Sequence, residues 1–225
     1  MVKTKSQKVW LPWEEILNRK GYSSLAGMDE AGCGPLAGPV VAAAVILPPS
    51  YQLVGLEDSK KLTPAKREAL FAILTAEVSY SVGIATAEEI DSLNIRQADF
   101  LAMRRAVETL QPKPDFLLID AWVLAFWNQN QMGIIEGDGY VCSIAAASII
   151  AKVTRDRIMT ELDQEYPQYG FAQHKGYPTA AHYEALRRYG YSQAHRLSFL
   201  KNTPYQAAAE NSAIPRQEIA DRSEK

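Results

Sequence analysis

The stretch Leu25-Ala26-Gly27-Met28-Asp29-Glu30-Ala31-Gly32-Cys33-Gly34-Pro35-Leu36-Ala37-Gly38-Pro39, followed at once by the apolar run Val40 to Leu47, constrains the fold more than any other part of the chain. It opens as an apolar strand and sets two carboxylates side by side before any turn residue; glycines and prolines close it. The run after Pro39 stops at Pro48-Pro49, which bracket it as a buried strand. Too few residues separate the two strands for a helical crossover, so they should pair as a hairpin. Adjacent strand residues point to opposite faces, so Asp29 and Glu30 flank one site only if the backbone bends there, as the following glycines would permit. Taken alone, the dipeptide reads as a solvated strand end. The case for a site must come from the rest of the chain.

In chain order, Pro12 to Lys20 forms a short amphipathic helix ended by Gly21. Thr63 and Pro64 are the N-cap and first residue of a helix running to Glu77. Tyr80 to Thr86 is a third strand, and Thr86 caps a helical stretch broken or bent near Ser92-Leu93-Asn94 that continues through Leu110. Pro112 and Pro114 stop it and introduce Phe116 to Asp120, a buried strand ending in a carboxylate. A short strand, Gly133 to Asp138, repeats that pattern. Ser143 is expected at the N-cap of the clearest helix, which runs to about Tyr166; its many alanines let it lie close against a sheet, with Lys152, Arg155 and Arg157 where it reaches solvent. Pro178 to Tyr189 makes another helix, ended by Gly190.

This order predicts one α/β unit built on a mixed sheet flanked by helices, with no internal repeat. Residues 1–21 form a helical lead, 22–204 the main domain with a helical C-terminal part, and 205–225 a polar, mostly disordered tail. The 225 residues, 47% of them hydrophobic, suffice for a real core, and the net charge of −2 does not announce a nucleic-acid partner. The longest apolar run is too short to span a bilayer, and the Lys-rich start leads into no signal-peptide core. Cys33 and Cys142 lack metal-ligand spacing and give no disulfide framework. The expectation is a soluble cytoplasmic protein with no membrane partner, and a monomer.

Four acids share a context: Asp29, Glu30, Asp120 and Asp138 each end a predicted buried strand. Ionising a carboxylate beside an apolar core is costly unless it is paired or metal-bound, so several converging there suggest cations. Oxygen-only ligands favour hard ions such as Mg²⁺ or Mn²⁺. Two such ions about 4 Å apart would generate a hydroxide and stabilise the leaving oxygen in phosphodiester hydrolysis. A basic group accompanies the acids: Lys60, Lys61, Lys152, Arg155, His174, Lys175, His195, Arg196 and Lys201. In loops or at helix ends near the acids these would suit phosphate contacts along a duplex, though singly each also reads as a solvated charge. Tyr177 offers a ring for stacking on a base or sugar, or equally a core residue, and Tyr169 and Phe171 share that ambivalence.

Gly27 to Val40, Asp58-Ser59-Lys60-Lys61-Leu62, Leu118-Ile119-Asp120, Gly137-Asp138, Ser143 to Asp156 and His174-Lys175-Gly176-Tyr177-Pro178-Thr179 together resemble the motifs of the bacterial ribonuclease HII family, in the family's order and over roughly Tyr22 to Lys201. The resemblance implies a ribonuclease H-like fold with a helical C-terminal extension. It also implies a metal-dependent endonuclease acting on RNA–DNA hybrids and on DNA containing single ribonucleotides, cutting on their 5′ side to leave a 3′-hydroxyl and a 5′-phosphate. By motif, Asp29, Glu30, Asp120 and Asp138 would be both catalytic and metal ligands for Mn²⁺ or Mg²⁺, with Asp29 bridging two ions. Gly32, Cys33, Gly34, Lys60, Lys61, Ser143, Lys152, His174, Lys175 and Tyr177 would bind substrate, and the ribose 2′-hydroxyl would distinguish RNA from DNA.

Three positions depart from the family pattern. The loop usually reads Gly-Arg-Gly, where this chain has Gly32-Cys33-Gly34. Backbone contacts to a 2′-hydroxyl survive that change and a guanidinium contact to phosphate does not. Glu136 stands for the usual Lys before Gly-Asp, and Ala121 for the usual Gly after Asp120. The alternative reading is therefore a hybrid-binding protein with weakened cleavage. A dinucleotide-binding loop at Gly32 to Gly38 is excluded, because Pro35 and Pro39 would disrupt the helix it must open.

Overall fold

The computed structural model describes residues 10–201. The segment 205–225, expected as a tail, and the first nine residues of the lead lie outside the described residues. Within them, α1 (Trp13–Arg19) precedes β1 (Leu25–Ala31), β2 (Val40–Ile46), a 3₁₀ turn at Ser59–Lys61, α2 (Pro64–Glu77) and β3 (Ser79–Ala85). Next come α3 (Ala87–Leu93), α4 (Ile95–Thr109), β4 (Phe116–Asp120), β5 (Asn130–Ile134), α5 (Gly137–Tyr140) and α6 (Cys142–Glu165). The short helices α7 (Phe171–His174), α8 (Ala180–Tyr189) and α9 (Leu197–Leu200) complete the order.

The five strands form one mixed sheet in the order β3-β2-β1-β4-β5. β1 and β2 are the expected antiparallel hairpin, while β4 joins the other side of β1 in parallel, so the acid-bearing strand is central. One face packs on α4: Ala26, Met28, Ala42, Ala44, Leu117 and Ile119 meet Ala98, Ala102, Met103 and Ala106. The other face receives α2 and α6 through Ala43, Val45, Leu74, Ala146 and Ile150. The alanines of α6 let it approach closely, and at Gly27 the approach is tightest, since a side chain there would overlap the backbone of Ser143.

Local signals formed several elements as the sequence predicts. Thr63 accepts the Lys66 N–H ahead of Pro64, and Thr86 and Glu89 make a reciprocal capping box. The helical stretch breaks at Asn94, whose side chain caps the start of α4.

Five expectations are corrected. β1 does not bend at the carboxylates: Asp29 pairs with Ala43 and Glu30 with Ala42 in regular register, and the turn begins only at Gly32, at φ +104°. Asp138 does not end a strand; β5 finishes at Ile134, Glu136 turns left-handed at φ 55°, and Asp138 sits in the single turn α5. Ser143 lies inside the first turn of α6 and is not its cap; its N–H and hydroxyl both donate to Glu14 Oε1. α8 starts at Ala180 behind the Thr179 cap, two residues later than expected, because the Thr179 N–H turns back to the Tyr177 carbonyl and Thr179 itself takes the extended cap conformation. Arg155 does not reach solvent from α6 but is fully buried, because its guanidinium satisfies backbone carbonyls of the loop after β1.

A third core lies beyond the sheet, where Tyr169, Phe171, Leu186 and Leu200 pack around Leu36, Ala37 and Met159. Tyr169 and Phe171 are thereby core residues. This C-terminal module clasps the loop 32–39: Leu36 N–H donates to Gly176, Gly38 N–H to Ala194, and Arg196 N–H to Leu36.

Candidate active site

Parallel pairing of β1 with β4 sets Gly27 opposite Leu118 and Met28 opposite Ile119, so Asp29 and Asp120 follow on one face at the ends of neighbouring strands. Glu30 projects to the other face, toward α4, and completes the group around the strand end. Asp120 Oδ1 accepts the Gly137 N–H at 2.7 Å, which fixes the α5 turn and carries Asp138 beside it. Lys60, from the 3₁₀ turn, donates to Asp138 Oδ2 at 3.2 Å. The four acids that end or follow strands are thus brought together: Asp29 and Asp120 by strand pairing, Asp138 by a backbone anchor, and Glu30 as the next residue of β1.

The electrostatics are those of crowded carboxylates. Asp29 is only 2% exposed, and burial, then Glu30 and Asp120, raises its pKa well above the usual carboxylate range. Burial, then Asp99 and Asp120, pushes Glu30 up to about 8. Burial and then Asp138 raise Asp120. For Lys60, burial pulls downward, but Asp138 and Asp29 more than compensate and hold it at about 12.

Asp29 Oδ2 and Glu30 Oε2 are buried without a hydrogen-bond partner. Leaving such oxygens unsatisfied is costly. An all-carboxylate donor set with orphaned oxygens fits a hard divalent cation, which would supply the missing partner and relieve the repulsion.

Asp99 belongs to this neighbourhood and was not singled out from the sequence. It is 4% exposed, its Oδ1 has no partner, and burial, then Asp29, pushes it up to about 7. The signal was available: Ile95, Ala98, Asp99, Ala102, Met103 and Ala106 recur at helical spacing, so the carboxylate sits on the stripe that faces the sheet.

The substrate candidates divide into groups. Gly32, Cys33 and Gly34 form the loop next to the acids, with the Cys33 thiol 3.8 Å from Glu30 Oε1. Tyr177 is 41% exposed and faces Gly34, with Lys152 Nζ and Arg155 each 5.9 Å from its ring centre. Lys60 and Lys61 are exposed beside Asp138 and Asp58. Lys152 is held by Asp156 at 2.7 Å, and Lys175 donates to the Asp156 carbonyl and to Thr160. Ser143 is fully buried and engaged by Glu14.

His174 uses both ring nitrogens internally, accepting the Gly176 N–H at Nδ1 and donating from Nε2 to the Tyr169 carbonyl. Within the wider basic group, Arg155, His195 and Arg196 are not at the surface at all. Arg155 donates to the carbonyls of Pro39, Ala37 and Lys175, and Arg196 to those of Gly38, Cys33 and Gly32. Each guanidinium presents a fixed fork of donors that replaces its lost water with carbonyls. Together they brace the loop from beneath.

The chain matches the family profile described as Ribonuclease HII over residues 26–202. It is 58% identical over 187 residues to the ribonuclease HII of Desulfitobacterium hafniense (strain DSM 10664 / DCB-2), covering 83% of this chain and 72% of that one. It is 55% identical over 194 residues to the ribonuclease HII of Geobacillus kaustophilus (strain HTA426), covering 83% and 74%. Among solved structures, ribonuclease H2 from Pyrococcus horikoshii OT3 superposes with a TM-score of 0.68 at 29% identity, over 84% of this chain and 98% of that one. The mixed five-stranded sheet, its flanking helices and the helical C-terminal part are those of this ribonuclease H-like fold. Among the described residues, no helix is long and apolar enough to cross a membrane.

Proposed function

Because the chain belongs to the ribonuclease HII family of metal-dependent endonucleases, we propose that it hydrolyses the RNA strand of RNA–DNA hybrids and cuts DNA 5′ of single embedded ribonucleotides, leaving 3′-hydroxyl and 5′-phosphate ends. The observation that carries this reading is the group Asp29, Glu30, Asp120 and Asp138, in which buried carboxylate oxygens of Asp29 and Glu30 lack any partner. We read these four as the metal ligands, with residues 22–204 as the catalytic unit. Mg²⁺ or Mn²⁺ held there, two ions in catalysis, would activate water and stabilise the leaving oxygen.

The chain's own residues do the rest. Gly34 lies beside the exposed Tyr177 ring, which is presented to a ribose or base there, while Gly32, with no side chain, leaves room for Arg155 to pack against it from within the loop. Lys60 and Lys61 offer the exposed positive charge nearest the acids for the nucleic-acid backbone. Arg155 and Arg196 tie the loop down by its carbonyls, so that the segment beside the acids keeps one shape. Retention of all four acids weighs against the binding-only alternative.

The test is cleavage of a DNA duplex carrying one ribonucleotide, with Mg²⁺, with Mn²⁺ and with chelator, beside an all-RNA strand in a hybrid. The expected result is metal-dependent cutting of both, 5′ of the single ribonucleotide. Cutting of the hybrid alone would remove the junction activity from the proposal, and no cutting of either would overturn it.

A further inference from the structure

On the α4 side of β1 lies a group of which the hydrolytic reading uses Glu30 alone as a metal ligand. Glu30, Cys33 and Asp99 each offer one ligand atom, all within 4.8 Å of one another. Three different elements bring them together: the end of β1, the loop that follows it, and the second turn of α4. Asp99 is the telling member. It is nine-tenths buried, carries an oxygen without a hydrogen-bond partner, and is aimed at a thiol and a second carboxylate instead of at an arginine or lysine. A buried carboxylate in that state lacks a compensating charge. An arginine at position 33, as in the family pattern, would supply one; Cys33 supplies a soft ligand instead.

We propose that Glu30, Cys33 and Asp99 form a second cation site, selective for a thiophilic divalent ion such as Zn²⁺ or Cd²⁺, and that its occupancy slows hydrolysis by drawing Glu30 away from the catalytic ions. One thiolate and two carboxylates make a three-ligand set with a position left for water, which suits Zn²⁺ and is poor for Mg²⁺. On binding, the Cys33 thiol loses its proton to solvent and forms the metal–sulfur bond, so uptake releases a proton. Spacing along the sequence could not show this site, because its ligands meet only through the packing of α4 on β1.

The inhibitory half of the proposal rests on the hydrolytic reading above; the binding half does not. The deciding experiment titrates the full chain with Cd²⁺ in saturating Mg²⁺ and follows the ultraviolet thiolate-to-cadmium charge-transfer band. The wild type and Cys142→Ser should titrate to one band-forming equivalent per chain. Cys33→Ser should lose the band, and Asp99→Asn should weaken binding about tenfold or more. A band absent from the wild type, surviving in Cys33→Ser, or titrating unchanged in Asp99→Asn would overturn the site whatever the enzyme cleaves. With Zn²⁺ added to a Mg²⁺-supported cleavage reaction, the wild-type rate should fall relative to its own zinc-free value and that of Asp99→Asn should not. Equal inhibition of both would overturn the regulatory link.

Discussion

Arg196 Nη2 lies 2.6 Å from the carbonyl oxygen of Gly32, 164 positions earlier in the chain. The same guanidinium also holds the carbonyls of Cys33 and Gly38, so one buried side chain ties the two ends of the loop beside the acids together. Replacing it by Met would strand three carbonyls. Arg196→Met should therefore cost about 3 kcal/mol of stability and reduce cleavage at a single ribonucleotide more than it reduces Mn²⁺ binding. Thermal denaturation, cleavage rates and metal titration separate these effects; equal losses in all three would mean that the residue holds the whole fold and not the loop.

Asp29→Asn should abolish cleavage and stabilise the metal-free chain, because it removes one of several crowded, buried charges. Near-normal activity in this variant would sink the assignment of Asp29 as a metal ligand.

The crowded acids also set a pH trend. Glu30 titrates near 8 when folded and near the ordinary carboxylate value of about 4.5 when unfolded, so between those values the folded chain binds more protons. Metal-free stability should accordingly fall as pH rises toward 8, and Mg²⁺ or Mn²⁺ should remove most of that slope. Melting temperatures with chelator and with metal across this range are the check.

The C-terminal module bends the curve the other way. His195 Nδ1 accepts the Ser192 N–H, His195 Nε2 pairs with His182 Nε2 at 3.1 Å, and His182 Nδ1 donates to the Tyr177 carbonyl. This relay requires both rings to be neutral, and burial lowers His182 to about 4 and His195 to about 3. Their unfolded value is about 6.5, so stability present above that pH is lost as pH falls toward 4, on the order of a few kcal/mol. Hydrogen exchange should show amides of α8 and of residues 192–196 losing protection below about pH 6 before the sheet does. Simultaneous loss in both would count against a local relay.

Cys33→Arg should raise the rate on a single embedded ribonucleotide more than on a long hybrid, because a guanidinium there could reach phosphate and would also neutralise the Glu30–Asp99 pair. Equal effects on both substrates would argue against a junction-sensing role for this position.

Much of this architecture was legible because residue types with few alternatives mark it. Proline brackets delimit β2, Thr63 and Thr86 cap their helices, and the carboxylates sit at the ends of apolar runs. Asp138 was misread as a strand end because the left-handed turn at Glu136 occurs at a non-glycine residue, which no composition rule announces. Arg155 and Arg196 were read as surface charges for the opposite reason: arginine is mostly exposed, and only the tertiary arrangement of loop carbonyls makes burial favourable. Asp99 was hidden by chain distance, although its position on the apolar stripe of α4 carried the information.

The brace on the loop has a consequence for the making of the protein. During synthesis the chain emerges from its N-terminus, so the sheet and all four acids are complete once α6 has formed, while Arg196 arrives tens of residues later. A product that ended between α6 and α8 would thus carry the four carboxylates without the side chain that ties the loop beside them. On the proposed reading of the loop, discrimination between RNA and DNA would then be the last property the chain acquires.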